Sequence, residues 1–212
     1  MKLTKYEHAC FVVEKDNQSI VVDPGSDSNN LKIPTNVTGI LITHEHSDHF
    51  FPERIAQIRL VNPSAVVYGP SSIVSLIENA KILENNQNFQ VGNFEIHSFV
   101  GTHDLIHPES PMIPNVSYLI DTVIYYGGDS LWYPEDIHPK IVAIPISANW
   151  MRFSDAIEML RVLRPQYAFP THDRLLSDIG KTVADTHMTN FTKDYGVSYE
   201  RRGPSEPIEI NG

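Results

Sequence analysis

A layered α/β architecture is what this chain predicts, on three observations. Short apolar runs of strand length recur along it, four stretches of helical periodicity lie between them, and several of the apolar runs end in a histidine or an aspartate. Strand carboxyl ends in α/β proteins commonly line one edge of a sheet, so the third observation bears on function as well as fold.

In chain order, Phe11-Val12-Val13 and Ile20-Val21-Val22 open the series, the second ending in Asp23. Ile40-Leu41-Ile42 leads to His44, and a helical pattern follows over about Glu53 to Leu60. Ala65 to Tyr68 reads as a strand and Ser71 to Ala80 as a helix. Phe94 to Val100 leads through Gly101 to His103. Tyr118 to Ile120 and Val123 to Tyr126 are strands, the latter running through Gly127-Gly128 to Asp129. Ile141 to Ile146 precedes the clearest helix, Ser154 to Leu163, in which Ser154 is a plausible N-cap, Ala156, Met159, Leu160 and Leu163 share a face, and Pro165 is the stop. Tyr167-Ala168-Phe169 leads to His172, and a last helix is expected over Thr182 to Tyr195. Five strand ends could thus converge on one site.

At 212 residues the chain is long enough for one domain with a sizeable core, and no linker, repeat or biased tract divides it. Its 16 Lys plus Arg against 26 Asp plus Glu give a formal charge of −10, which repels a phosphate backbone, so extended nucleic acid is not the expected partner and a small molecule is. With Cys10 as the single cysteine, no intramolecular disulfide is possible. Residues 1 to 13 lack the apolar core of a signal peptide, and no run approaches membrane-spanning length. The expected compartment is the cytoplasm; the oligomeric state has no sequence signature.

The chemistry concentrates in His44-Glu45-His46-Ser47-Asp48-His49. His44 and His46 are two apart, so on extended backbone they point to the same side and can grip one ion, while Asp48 and His49 face other directions and can reach a second. A single His-x-His pair would read as a solvated loop; four ligand-type residues where an apolar strand ends read as a metal site. His103 and His107 lie four apart and either could add a ligand, His103 being favoured because a glycine precedes it by two. Asp23-Pro24-Gly25 could be no more than a turn. His97 reads as an ordinary strand residue, His138 and His187 as surface residues, and Cys10 as a small buried hydrophobe.

The pattern His44-x-His46-x-Asp48-His49, with Asp23 before it and His103, Asp129 and His172 after it, resembles the metallo-β-lactamase-fold hydrolase superfamily. The opening Tyr6 to Val12 and the later Gly127-Gly128-Asp129-Ser130 are similar to a compact branch of metal-dependent hydrolases related to the ascorbate-6-phosphate lactonase group. The resemblance implies a four-layer αββα sandwich, one domain over residues 1–212, with two divalent ions between its sheets. By it, His44, His46 and His103 hold one ion, Asp48, His49 and His172 the other, and Asp129 bridges both, with Asp23 orienting a ligand imidazole. The ions are expected to be Zn²⁺, with Mn²⁺ or Fe²⁺ accepting the same donors.

The implied activity is hydrolysis of an ester, lactone, amide or phosphodiester bond in a small molecule by water activated between two metals, with Asp48 and Asp129 at the reacting centre. His107, His8 and Trp150 are expected behind the ligands or facing substrate, with core packing the rival for Trp150 and a structural role for His8. The Pro-rich stretch Asp104 to Asn115 is long enough to wall the pocket. A sensor or scaffold protein could carry the same ligand set without turnover.

Overall fold

The computed structural model describes residues 1–210, which form two seven-stranded sheets packed face to face. The first sheet is built from β1 (Lys2–Lys5), β2 (Phe11–Lys15), β3 (Gln18–Val22), β4 (Val37–Leu41), β5 (Val66–Gly69) and β6 (Lys81–Ile82), with helices α1 (Pro52–Val61) and α2 (Ser71–Val74) on either side of β5 in sequence. The second holds β7 (Gln87–Val91), β8 (Phe94–Thr102), β9 (Pro114–Ile120), β10 (Ile124–Tyr126) and β11 (Ile141–Pro145), then α3 (Phe153–Leu163), β12 (Tyr167–Thr171), α4 (Asp178–Thr192) and β13 (Ser198–Tyr199). The chain then returns to the first sheet, where β14 (Ile208–Glu209) pairs with β1.

The alternation of side chains along each strand sorts residues into three apolar layers. Phe11, Val13, Ile20, Val22 and Leu41 meet Phe94, Ile96, Val116, Tyr118, Tyr126 and Phe169 between the sheets. Val12, Val21, Ile40 and Val67, on the other face of the first sheet, pack on Ile55 and Ile58 of α1. On the far face of the second sheet Tyr125, Val142, Ile144 and Ala168 take Ala156, Met159, Leu160 and Leu163 of α3 and Ala184 and Met188 of α4. The result is the four-layer αββα sandwich. Each fully buried Leu, Ile or Met contributes about 2 kcal/mol before the entropy of ordering it.

Strand direction positions the site. β1, β2 and β3 are successively antiparallel and β4 is parallel to β3, so β1, β3 and β4 run the same way. In the second sheet β8 and β10 both run opposite to β9, and β10, β11 and β12 are parallel. Every ligand-type residue expected at a strand end therefore leaves a strand that points toward one common edge.

Some local details depart from expectation. Helix α3 starts at Phe153 with Arg152 in the N-cap place and no side-chain cap; Ser154 lies inside the first turn, its Oγ bonded to Asp155. The Asp155 N–H already bonds the Arg152 carbonyl, and Phe153 packs on the helix-side core, which draws the start one residue earlier. Arg164 ends the helix with φ 46°, since a residue before proline is excluded from the helical region. Only Ser71–Val74 of the Ser71 to Ala80 stretch is helical: serines and β-branched residues lack strong helical preference, and Asn79 turns left-handed at φ 58°. Helix α4 begins at Asp178, four residues earlier than expected, because Ser177 caps it by accepting from the Gly180 N–H.

Candidate metal centre

The histidine-rich loop follows β4 and is tied to both sheets. Thr43 donates its N–H to Asp23 Oδ1 (2.8 Å) and its Oγ1–H to Asp23 Oδ2 (2.7 Å), while the Thr43 carbonyl accepts from Val116 N of the facing sheet (2.8 Å). The His46 carbonyl accepts from both His49 N and Phe50 N, so the loop curls back before α1 begins at Pro52. Gly25 lets the β3 turn lie against this curl: a Cβ there would stand 1.9 Å from the Asp48 carbonyl oxygen. Gly128 serves Asp129 similarly, with φ 65° and no room for a Cβ between Asn115 and Thr43.

Two groups of four side chains result. His44, His46, His103 and Asp129 form one, and His8, Asp48, His49 and His172 the other; within each, one ligand-type atom per residue lies within 4.8 Å of the rest. Asp129 touches both: its Oδ2 is 3.4 Å from His103 Nε2 and 3.0 Å from His172 Nε2, and its Oδ1 is 3.1 Å from His49 Nε2. Asp48 Oδ2 stands 3.3 Å from His172 Nε2 and 3.5 Å from His49 Nε2.

The hydrogen bonds behind the rings decide which nitrogen each one offers. His49 Nδ1 donates to Asp23 Oδ2 (2.7 Å), His103 Nδ1 to the Asp104 carbonyl (2.5 Å) and His172 Nδ1 to the Ser147 carbonyl (2.6 Å). His44 Nδ1 faces Thr43 Oγ1 (3.0 Å), whose own proton goes to Asp23. With Nδ1 committed to these partners, each of these rings turns Nε2 to the cavity, and in the neutral form that nitrogen is bare. His46 turns its Nδ1 to within 3.2 Å of His44 Nε2. His49 Nε2, His103 Nε2 and Asp129 Oδ1 are buried without a hydrogen-bond partner. Buried orphans of this kind are costly unless a further group satisfies them, and nitrogen and carboxylate donors in this number suit a divalent cation.

Electrostatics point the same way. Burial disfavours charge on His49, yet Asp129 and Asp23 override it and hold the imidazole well above its ordinary value. Burial likewise opposes charge on His172, but hydrogen bonds to Asp129 and Asp48 raise it to about 9. Burial works against ionising Asp48 and Asp129 too; His172 and His8 hold the first below the carboxylate range, and His49, His103 and His172 the second. His44 is pushed well below its ordinary value by burial and the neighbouring His49. The carboxylates thus demand positive charge, which protons on His49 and His172 supply in the metal-free chain and divalent cations would supply in their place.

Asp23 is fully buried and accepts from four donors, since Tyr126 Oη adds a fourth bond at 2.9 Å. Trp150 donates Nε1–H to Asp129 Oδ2 (3.0 Å) and stands edge-on to His103 and His172, which places it in the site rather than in the core. His107 is exposed and belongs to neither group, and its Nδ1 accepts from Glu109 N, because the loop after His103 carries it outward. That loop does form a wall, with Leu105, Ile106 and Met112 enclosing a cavity of about 20 Å³ against His46 and His103. His97 lies on β8 and bonds Asn86, which just precedes β7, His138 and His187 are exposed, and burial pushes the Cys10 thiol up to about 12. Thr43 and Tyr126, which bond Asp23, and Asn115, which bonds the Gly127 carbonyl and the Asp129 N–H, have no sequence motif; a tyrosine within an otherwise apolar run is the nearest signal.

Comparison with known proteins decides the family. Residues 2–172 match the Beta-lactamase superfamily domain. The chain belongs to the metallo-β-lactamase superfamily. A UPF0173 metal-dependent hydrolase of Carboxydothermus hydrogenoformans is 28% identical, the match covering 99% of this chain and all of the relative. Protein Rv0786c of Mycobacterium tuberculosis is 29% identical, covering 91% of this chain and 93% of the relative. Among solved structures, Igni18, a metallo hydrolase from the archaeon Ignicoccus hospitalis, superposes with a TM-score of 0.76 at 19% identity over 99% of both chains, a likeness of fold. The protein is a metal-dependent hydrolase of this superfamily. Among the described residues no helix is long and apolar enough to cross a membrane.

Proposed function

We propose that this hydrolase binds two divalent cations and cleaves an ester, lactone, amide or phosphodiester bond in a small molecule. The observation that carries the reading is the common wiring of His44, His49, His103 and His172, each anchored through Nδ1 with Nε2 turned to the cavity, around an Asp129 carboxylate that stands between the two groups and touches rings of both. His44, His46 and His103 would hold one ion, Asp48, His49 and His172 the other, and Asp129 both. Ions there would supply Lewis acidity toward the substrate oxygen and lower the pKa of water toward neutrality.

The chain's own residues do the rest. Asp23 keeps His49 in the tautomer that leaves Nε2 bare. Trp150 holds Asp129 through its Nε1–H and stands edge-on beside His103. His46 and Asp48 remain partly exposed, Asp48 by 27%, which leaves a route for substrate and favours turnover over a sealed binding site. Five imidazoles and two carboxylates suit Zn²⁺, with Mn²⁺ and Fe²⁺ the alternatives.

Elemental mass spectrometry on protein purified without added metal tests the reading. About two ions per chain are expected, and Asp129→Ala should lose one of them together with most turnover. Full activity with both ions retained in that variant would overturn the assignment.

A further inference from the structure

His8 is wired in the opposite sense to His49, His103 and His172. By distance alone it completes the second group, with Asp48, His49 and His172 around it. Yet its Nδ1 faces a donor, the main-chain N–H of Arg174 at 3.4 Å, where His49, His103 and His172 face acceptors. A neutral imidazole whose Nδ1 accepts carries its proton on Nε2, and a protonated Nε2 has no lone pair for a metal. That Nε2 lies 2.8 Å from Asp48 Oδ2, the geometry of a hydrogen bond.

We infer that His8 is not a metal ligand but the positioning residue that donates Nε2–H to Asp48 Oδ2 and fixes that carboxylate toward the second group. This rests on the reading of Asp48 as a ligand. Asp48 is the most exposed carboxylate of the centre, and its remaining neighbours, His49 and His172, are themselves rings that would turn their Nε2 to the ion. Without His8 the side chain would be free to swing toward solvent.

The surroundings of His8 suit a fixed donor. It is 1% exposed and sits in the β1–β2 turn with φ 55°, a left-handed conformation that few residues other than glycine adopt. The buried Lys5 ammonium holds that backbone by bonding the carbonyls of Tyr6 and His8. The turn is closed by Tyr6 N–H to the Cys10 carbonyl (2.9 Å) and Cys10 N–H to the Glu7 carbonyl (3.1 Å). Arg174, whose N–H sets the tautomer, follows His172 by two residues, so the ring is referenced to the same strand end that supplies a ligand. His8 and His172 rings lie 4.3 Å apart.

Long-range ¹H–¹⁵N correlation spectra of the imidazoles in the zinc-loaded full chain test this, because protonated, bare and metal-bound nitrogens resonate apart. The expected result is a protonated Nε2 and bare Nδ1 on His8, with metal-bound Nε2 on His49 and His172. A metal-bound His8 Nε2 beside metal-bound His49 and His172 overturns the inference and leaves the metal reading standing. No metal-bound imidazole at all overturns the metal reading, and the inference with it.

Paired variants give a second readout. His8→Gln retains an N–H able to reach Asp48 and should keep zinc affinity at both sites within about threefold, whereas His8→Leu should weaken one site by about 10- to 100-fold. Equal loss in the two variants overturns the positioning role.

Discussion

Replacing Asp23 by asparagine is the sharpest perturbation of the centre, because it alters one atom and leaves the shape. Asp23 Oδ1 accepts only the Thr43 N–H, a bond the amide oxygen can keep. Oδ2 accepts from Thr43 Oγ1, Tyr126 Oη and His49 Nδ1, and the NH₂ of asparagine would face all three donors. The two hydroxyls can rotate and become acceptors. The imidazole cannot; it must move its proton to Nε2, the nitrogen 3.1 Å from Asp129 Oδ1 that would otherwise face the ion. The variant should therefore weaken metal at the second group by about 10- to 100-fold, or about 1.4 to 2.7 kcal/mol. In the metal-free chain, breaking a charge-assisted contact between two fully buried groups should cost about 3 kcal/mol. Competition against a chromophoric chelator measures the first quantity and urea unfolding in the presence of excess chelator the second. Wild-type affinity for both equivalents in Asp23→Asn would refute the tautomer argument.

Two further outcomes follow from the same packing. Burial lowers the Lys5 ammonium to about 8 from an ordinary 10.5, against the opposing pull of Asp173. The unfolded chain then holds more protons between those values, so Lys5 makes stability rise with pH there, by about 3 kcal/mol across the whole interval. The stability difference between wild type and Lys5→Met, measured by urea unfolding from pH 7.5 to 9.5, should grow by about 2 kcal/mol in favour of wild type; the opposing trend from Cys10 is common to both proteins, and a flat difference would be the contrary result. Gly25→Ala would place a methyl 1.9 Å from the Asp48 carbonyl oxygen, a backbone atom that cannot move without the loop, so metal content should fall along with the thermal midpoint.

What the sequence makes legible is what rests on period and order. The strands from Phe11 to Phe169 alternate in ways that survive tertiary packing, and ligand-type residues stand at their ends because the chain must leave each strand at the same edge. The short strands β6, β13 and β14 are not legible, being two-residue pairings decided by what already lies beside them. Strand β7, Gln87–Val91, escapes because its side chains are half polar and it lies at the edge of its sheet. At the centre, His44, His46, His103 and Asp129 gather in one group and His8, Asp48, His49 and His172 in the other. Asp23, which its Asp-Pro-Gly context reads as a turn former, sits at the focus of four hydrogen bonds, and no local pattern distinguishes those two uses. His8 and His107 are the converse pair. Spacing near His103 gives His107 its claim, but the exposed loop removes it, whereas His8, 36 residues before His44, is brought in only by the return of β1 to the common edge.

The division of each group between the sheets is the architectural reason the centre needs this fold. In the first group His44 and His46 come from the β4 side, and His103 and Asp129 from β8 and β10 of the other sheet. In the second, His8, Asp48 and His49 come from the first sheet and His172 from β12. Neither sheet alone supplies a complete set, so the donor geometry is only as exact as the seam between them. That seam is pinned beside the donors by Thr43 O with Val116 N, by Tyr118 Oη with the Ile42 carbonyl (2.6 Å) and by Tyr126 Oη with Asp23, all buried. Two of these three pins are tyrosines that reach from the core face of the second sheet to the β3 and β4 ends of the first. Apolar packing alone leaves the sheets free to shift by fractions of an ångström, but a phenol that must find one oxygen does not. The tyrosines therefore convert a non-directional core into a registered one at the edge where register decides whether Nε2 atoms from opposite sheets can meet around one ion.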